Sequence, residues 1–177
     1  MRIAPQRMSH SAQTYDFRDK PTAYARLARE LAALLQGETD LIANAANTAA
    51  LIFAALPEVN WTGFYFLKGD ELIVGPFQGK PACVRIALGR GVCGTAAAER
   101  RTLIVADVQE FPGHIACDAA SRSEVVVPLM AGSRLLGVLD IDSPRAARFD
   151  EEDARGLETL AAVFLALSAA ALPARPE

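Results

Sequence analysis

Three cysteines and three acidic residues are the side chains of this chain that could carry out chemistry together. A thiolate is the nucleophilic and redox-active form of cysteine, and a carboxyl group can donate a proton or hold an ammonium group. All six residues fall between positions 83 and 142. We therefore predict that one small molecule is surrounded by six side chains: Cys83, Cys93, Cys117, Glu124, Asp140 and Asp142.

The three cysteines occupy different surroundings. Cys93 lies in the first turn of a predicted short helix, where the helix N-terminus lowers the pKa of a thiol. Cys117 lies in a polar loop, three residues after His114 and five before Arg122, and Cys83 begins a predicted strand. A single cysteine is more often a buried, small apolar residue. Three of them near acidic residues favour redox chemistry.

A zinc site formed by Cys83, Cys93, Cys117 and His114 is the competing interpretation of the same residues. Structural zinc sites commonly have two cysteines separated by two to four residues, and no pair of cysteines in this sequence has that spacing. We therefore predict no metal site.

The acidic residues fall on predicted strands, where their positions are unusual. Side chains alternate along a strand, so Asp140 and Asp142 share one face, opposite Leu139 and Ile141. Two neighbouring carboxylates are costly unless they are solvated, paired or functional. The alternatives are a strand end that reaches solvent for the two aspartates and an exposed strand entry for Glu124.

An aromatic pair belongs to another predicted strand. Trp61, Gly63 and Tyr65 share one face of the segment NWTGFYFL, whereas Thr62 and Phe64 point to the other face. A glycine between two rings predicts a gap walled by those rings, although plain core packing explains the same pattern.

The elements that must position these residues follow from hydrophobic periodicity. We predict two helices that begin near Pro21 and Asp40, three strands, a short helix over residues 92–100, three more strands and a closing helix that ends near Ala171. Tight turns between consecutive strands indicate antiparallel pairing. The predicted fold class is α+β, with a central antiparallel sheet of about six strands covered by N- and C-terminal helices. Residues 1–20 are predicted to be a flexible segment and residues 21–172 one domain.

Composition excludes several classes of partner. The net charge of -3 provides no basic field for nucleic acid or an anionic membrane. The most apolar stretch, residues 157–172, contains Glu158 and is shorter than the roughly 20 residues of a membrane span. The first twenty residues lack an apolar signal region, and an odd number of cysteines suits reduced thiols. We therefore expect a cytoplasmic protein.

Four segments together resemble the free methionine-(R)-sulfoxide reductases, which are built on a single GAF domain. They are NWTGFYF, GRGVCGTAA, HIACD and VLDIDSP, and the resemblance covers about residues 23–167. It implies a GAF-like fold and the reduction of free methionine sulfoxide, with a thioredoxin-like dithiol as reductant and no bound cofactor.

The resemblance also implies a role for each candidate residue. Cys117 would be the nucleophile, Cys83 the resolving thiol, and Cys93 an auxiliary thiol or the alternative disulfide partner. Trp61 and Tyr65 would hold the S-methyl group of the substrate. The sulfoxide and amino-acid groups would contact the three acidic residues, at least one of them as proton donor: Glu124, Asp140 and Asp142.

Two alternatives stay open at this point. One is a non-catalytic GAF module that binds a small ligand or senses redox state; against it, we expect no attached output domain, and acidic residues accompany the thiols. The other concerns assembly. Alanine-rich faces over residues 45–50 and 161–171 predict either a homodimer or helix packing within one chain.

Overall fold

The structure is a computed structural model that describes residues 15–113 and 119–168 of the 177-residue chain. His114, Cys117 and the predicted end of the last helix at Ala171 lie outside these ranges. The elements, in chain order, are α1 (Lys20–Leu35), α2 (Leu41–Ala55), β1 (Trp61–Lys68), β2 (Glu71–Gly79), β3 (Arg85–Ala87), α3 (Gly91–Glu99), β4 (Leu103–Val105), a 3-10 turn (Val108–Glu110), β5 (Ser123–Ala131), β6 (Arg134–Ser143) and α4 (Glu151–Leu167).

Six strands form one sheet in the order β3-β2-β1-β6-β5-β4. Every pairing between neighbouring strands is antiparallel. The predicted α+β fold and its antiparallel sheet are therefore confirmed. The third strand is shorter than the predicted segment over residues 83–88, because ladder pairing with β2 extends only from Arg85 to Ala87.

Local sequence signals determine where the helices begin. The Asp19 carboxylate accepts a hydrogen bond from the backbone N–H of Thr22 at the start of α1, and Pro21 occupies the first turn. Asp40 caps α2 in the same way, by accepting from the N–H of Ala43. Asp150 caps α4 and forms a reciprocal capping box with Asp153. These caps satisfy backbone donors that have no partner inside the helix.

The two faces of the sheet carry separate apolar clusters. Phe64, Leu139 and Ile141 pack on one face with residues of α1, α2 and α4. Trp61 and Tyr65 belong to the cluster on the other face, which α3 covers. The alternation predicted for β1 and β6 is therefore confirmed, and Asp140 lies on the α3 side of β6 together with the aromatic pair.

A buried ionic network joins the first and last helices. The Asp153 carboxylate is fully buried and accepts hydrogen bonds from the Tyr24 hydroxyl at 2.9 Å, Lys20 Nζ at 2.7 Å and Arg148 at 3.1 Å. These three donors supply the hydrogen bonds that a buried carboxyl group needs in place of water. The network holds α1 against α4, on the face opposite the aromatic pair.

Residues on the N-terminal side of the predicted domain boundary also pack against the fold. Tyr15 and Phe17, inside the segment predicted to be flexible, are partly buried against the helical face. The boundary at residue 20 stays a prediction, and residues 1–14 lie outside the described range.

Ala45, Ala49 and Ala161 are buried within this one chain, which favours the intrachain explanation of the alanine-rich faces. Among the described residues, no helix combines the length and apolarity that crossing a membrane requires.

We predict that Gly156→Ala destabilises the domain. A Cβ added at Gly156 would lie 2.1 Å from the Tyr24 ring, and the hydroxyl of that ring is bound to Asp153. Because the ring cannot move away without losing its hydrogen bond, we expect a loss of about 1–3 kcal/mol in the free energy of unfolding. Urea denaturation measures it. Arg155→Ala, on the exposed side of α4, is the control and should change stability by less than about 0.5 kcal/mol. Equal stability of the two variants would contradict the close packing of α1 on α4.

Candidate active site

A pocket lies between α3 and the centre of the sheet, and it collects most of the residues predicted to act together. Its lining includes six of the eight predicted site residues. They are Trp61, Tyr65, Cys93, Glu124, Asp140 and Asp142. The Cys83 side chain is half-buried and packs against the apolar cluster on the same face of the sheet.

Strand register explains why residues distant in sequence meet here. In the β1–β6 ladder, Trp61 lies opposite Asp142 and Gly63 lies opposite Asp140. In the β5–β6 ladder, Glu124 lies opposite Asp142. Directly opposite residues have their Cβ atoms about 5 Å apart. A single shared strand, β6, therefore brings the glutamate of β5 and the aromatic residues of β1 to the same place.

Cys93, Glu124 and Asp140 form a tight buried cluster. The Cys93 thiol donates to Glu124 Oε1 across 3.8 Å, and one ligand atom from each of the three residues lies within 4.8 Å of the others. The side chains are only 4%, 6% and 6% exposed, respectively. Burial excludes the exposed-entry interpretation of Glu124 and the solvent-edge interpretation of Asp140. Asp142 is half-buried.

The environment of this cluster favours protonated carboxyl groups. Burial raises the pKa of Glu124 well above its ordinary value, and the neighbouring charges of Asp140 and Asp142 raise it further. Burial also raises the pKa of Asp140, from 3.8 to about 6, although hydrogen bonds from Cys93 and Glu124 partly oppose this rise. Both shifts favour the protonated forms of this carboxyl pair, and the pKa of Glu124 is raised by burial and by both neighbouring aspartates. Glu124 is therefore the candidate proton donor of the pair.

The Cys93 thiol does not gain the nucleophilic character that its place in the helix suggested. It lies in the first turn of α3, as predicted. However, burial raises the pKa of Cys93 well above 9, and the charges of Asp140 and Glu124 raise it further. Desolvation and two carboxyl groups outweigh the effect of the helix N-terminus. Cys93 is a neutral thiol here.

The aromatic wall differs from the gap predicted over Gly63. The rings of Trp61 and Tyr65 stack with centroids 5.8 Å apart, and Trp61 also stacks on Phe77 at 5.3 Å. A Cβ on Gly63 would lie 2.5 Å from the indole and 2.4 Å from the Phe77 Cβ. The structure favours the core-packing alternative over the gap, because the indole itself covers Gly63. The glycine instead allows the indole to lie flat on the strand.

The segment Lys80–Cys83 holds both rings, and sequence reasoning missed this role. Trp61 Nε1 donates to the Lys80 carbonyl oxygen and the Tyr65 hydroxyl donates to the Cys83 carbonyl oxygen, each at 3.1 Å. Pro81 and Ala82 line the pocket between these two anchors. Backbone carbonyl groups leave no signal in residue types. Only the glycine and proline that flank Lys80 hinted at a constrained segment.

The cysteines differ in redox state within the described residues. Cys83 is disulfide-bonded, whereas Cys93 is a free thiol. A disulfide sulfur cannot serve as a thiolate ligand, which is unfavourable for the zinc interpretation that includes Cys83. In the part of the chain that the structure describes, the cluster of Cys93, Glu124 and Asp140 has the geometry to approach one cation. The raised pKa values of its thiol and glutamate disfavour the deprotonated forms that bind a metal.

Comparisons with known proteins identify the family. Residues 38–164 match the GAF domain family. The chain is 54% identical over 144 residues to the free methionine-R-sulfoxide reductase of Escherichia coli, covering 81% of this chain and 87% of that protein. It is 46% identical over 136 residues to the reductase of the same name from Saccharomyces cerevisiae, covering 72% and 76%. The chain belongs to the GAF-domain family of free methionine-R-sulfoxide reductases. The resemblance and the GAF-like fold predicted from the sequence are thereby confirmed.

A solved structure of a reductase supports the same family assignment. The free methionine-R-sulfoxide reductase of Neisseria meningitidis, in complex with its substrate, has a TM-score of 0.82 and 43% identity, and covers 92% of this chain and 100% of that one. A GAF domain of a phosphotransferase from Coxiella burnetii, at 18% identity and a TM-score of 0.77, shares the fold alone. The fold is therefore common to proteins of different function, and the argument for function must come from the site.

We predict that Asp140→Asn changes how stability depends on pH. The folded-state pKa of Asp140, about 6, exceeds the ordinary 3.8, so the folded protein binds more protons between these values. This contribution to stability is present below pH 3.8 and is lost as pH rises through 6. An amide cannot ionise, so the variant should gain on wild type by up to about 3 kcal/mol between pH 4 and pH 8.

Urea denaturation across that pH range measures the gain, and Asp107→Asn serves as the control. Hydrogen bonding to Arg122 lowers the pKa of the half-buried Asp107 carboxyl group. Its favourable contribution is present above pH 3.8 and is lost only as pH falls below that value, so the difference in stability between Asp107→Asn and wild type should stay constant between pH 4 and pH 8. Parallel pH profiles for Asp140→Asn and wild type would contradict the buried, proton-binding state of Asp140.

Proposed function

We propose that the chain reduces free L-methionine-(R)-sulfoxide to L-methionine. The observation that carries the proposal is a buried Glu124 with a raised pKa in a pocket that Pro81 and Ala82 line, directly before the disulfide-bonded Cys83, in a member of this reductase family. The acid supplies the proton that sulfoxide reduction consumes. The disulfide is the oxidised product that a thiol-dependent cycle leaves behind.

The first chemical step is proposed to begin at Cys117. Its thiolate attacks the sulfoxide sulfur and forms a transient S–S bond, while Glu124 donates a proton to the sulfoxide oxygen. The protonated oxygen then transfers to the Cys117 sulfur: the S–O bond of the substrate and the transient S–S bond break, methionine leaves with the electron pair of the S–S bond, and Cys117 becomes a sulfenic acid. One sulfoxide is reduced and one thiol is oxidised by the same two electrons.

The second step forms the disulfide and restores the enzyme. The Cys83 thiol attacks the Cys117 sulfenic acid, an S–S bond forms, and water leaves. Cys117 is our proposed partner for Cys83, because Cys93 is free. A thioredoxin-like dithiol then reduces this bond by thiol–disulfide exchange and becomes oxidised itself. Such reducing proteins suit the cytoplasmic location that we propose, and no bound cofactor enters the cycle.

The binding residues are assigned by the chemistry of the substrate. The apolar S-methyl group suits the stacked rings of Trp61 and Tyr65, which form an apolar wall of the pocket. The ammonium group suits the carboxyl groups of Asp140 and Asp142, which line the same pocket. A pocket enclosed by α3 and the sheet also disfavours a methionine within a peptide, because the chain on either side would have no exit.

Cys93 has a smaller part in this proposal than the sequence implied. Its buried, neutral thiol donates to Glu124, which places it beside the acid rather than in the disulfide. We therefore propose Cys83 as the resolving residue and Cys93 as an auxiliary residue of the pocket.

A coupled assay tests the proposed activity. NADPH consumption with thioredoxin and thioredoxin reductase should require the free R-sulfoxide, and the free S-sulfoxide and a peptide-bound sulfoxide should give little turnover. Binding of methionine sulfoxide without turnover would instead support a ligand-binding or redox-sensing GAF module. Cys117→Ser should abolish even a single turnover. Cys83→Ser should release one methionine per site and then stop, and continued cycling with thioredoxin would reject Cys83 as the resolving residue.

We predict that Glu124→Gln lowers the rate of the reductive step by about 10²–10⁴-fold, because an amide cannot donate a proton to the departing oxygen. Single-turnover release of methionine, measured with the reduced enzyme, isolates this step from recycling. The matched variant Asp140→Asn removes the neighbouring charge but retains the acid, so it should slow the step less. A smaller effect of Glu124→Gln than of Asp140→Asn would assign the proton to Asp140.

A further inference from the structure

We propose that Val84 and Leu88, which flank β3, form a docking surface for the protein dithiol that reduces the Cys83 disulfide. This inference rests on the proposed function, because it supplies a surface for the recycling step. The two residues are called the β3 rim below. The occupant we assign to the rim is a thioredoxin-like protein with an apolar surface around its reactive cysteine.

Exposure of apolar side chains singles out the β3 rim. In the part of the chain that the structure describes, the large apolar residues that are exposed are Ile42 at 55%, Val84 at 62% and Leu88 at 37%. Single exposed apolar residues are common on protein surfaces. Two of these three, however, lie at the two ends of one short strand, and Val84 directly follows the disulfide-bonded Cys83.

Recycling by thiol–disulfide exchange requires that the thiolate of the reductant reaches the Cys83 disulfide. In thiol–disulfide exchange, the attacking thiolate must reach a disulfide sulfur and form a mixed disulfide with it. The surface around the partner's cysteine must therefore cover the residues next to the disulfide. Cys83 is half-buried, not enclosed, and Val84 beside it is open to solvent.

The size of the rim also suits a transient redox contact. Val84 and Leu88 are four residues apart, which corresponds to roughly 13 Å along an extended chain. Redox complexes bury less than about 1,200 Å² in total, or up to roughly 600 Å² on each partner. One partner of that footprint covers both residues together with Cys83.

The position of β3 in the sheet leaves the rim open. It is an edge strand, paired with β2 on one side. Within the described residues, no strand continues the sheet beyond it. Arg85 and Ala87 are exposed, whereas Ile86 between them is buried against the pocket. The edge thus offers an accessible surface whose inner side contacts the active site.

The charge around the β3 rim predicts a second property of the reductant that docks there. Residues 80–90 contain Lys80, Arg85 and Arg90, all exposed, and no acidic residue, although the whole chain has a net charge of -3. Glu71 on β2 pairs with Arg85 at 2.9 Å. A reductant with acidic groups around its apolar contact would complement this segment, and its association would weaken as ionic strength rises.

The test compares two reductants on the same variants. In Val84→Ser/Leu88→Ser, we expect the KM for thioredoxin to rise by about tenfold, as the loss of one to two kcal/mol of apolar contact implies. Turnover with dithiothreitol, which needs no docking surface, should stay within about twofold of wild type. Ile42→Ser is the control, because it removes an apolar residue elsewhere whose exposure, 55%, lies between those of Val84 and Leu88, and it should leave turnover with both reductants unaffected.

The outcomes separate this inference from the proposed function. An unchanged KM for thioredoxin in the double variant, or an equal loss with dithiothreitol, would overturn the docking surface. A change in oligomeric state in the double variant, measured by light scattering, would assign the rim to a second copy of the chain and would also overturn it. Absence of dithiothreitol-driven reduction by the wild-type protein would instead reject the proposed activity.

Discussion

The pairing of β1 with β6 at the centre of the sheet is the constraint on which the site depends. This register places Trp61 opposite Asp142 and Gly63 opposite Asp140, and β5 on the other side of β6 adds Glu124. Side-chain direction in a sheet has a period of two, so a shift of one residue would move both aspartates into the helical core. The apolar face of the same strands, with Leu139 and Ile141 fully buried, opposes such a shift.

The site concentrates unfavourable electrostatics that the remainder of the fold must tolerate. Glu124, Asp140 and a neutral thiol are buried together, where desolvation favours their protonated forms. Groups with raised pKa values weaken the folded state at higher pH, yet they provide an acid at neutral pH. The helical layer on the opposite face contributes the compensating stability, through a continuous apolar core and the Asp153 network.

The segment Lys80–Cys83 connects the parts of the proposed cycle. Its carbonyl groups hold Trp61 and Tyr65, Cys83 is its disulfide-bonded end, and the exposed Val84 follows immediately. The backbone anchors of the proposed substrate wall, the disulfide-bonded sulfur and the proposed reductant surface therefore all lie within residues 80–88. One face of the pocket and one edge of the sheet thus share the same backbone segment.

Sequence alone determined the order of the helices and strands, the helix starts and the face of each strand residue, because these depend on local spacing and residue type. Pro21 and Asp40 indicated helix starts, and alternation placed Asp140 with Asp142 on one face of their strand and Trp61 with Tyr65 on one face of another. Only the tertiary structure decided the protonation of the site. The pKa of Cys93 followed burial and its carboxyl neighbours, not its helix position. The indole over Gly63 and the carbonyl groups that anchor both rings were equally unpredictable, since through-space packing and backbone acceptors leave no pattern in the order of residues.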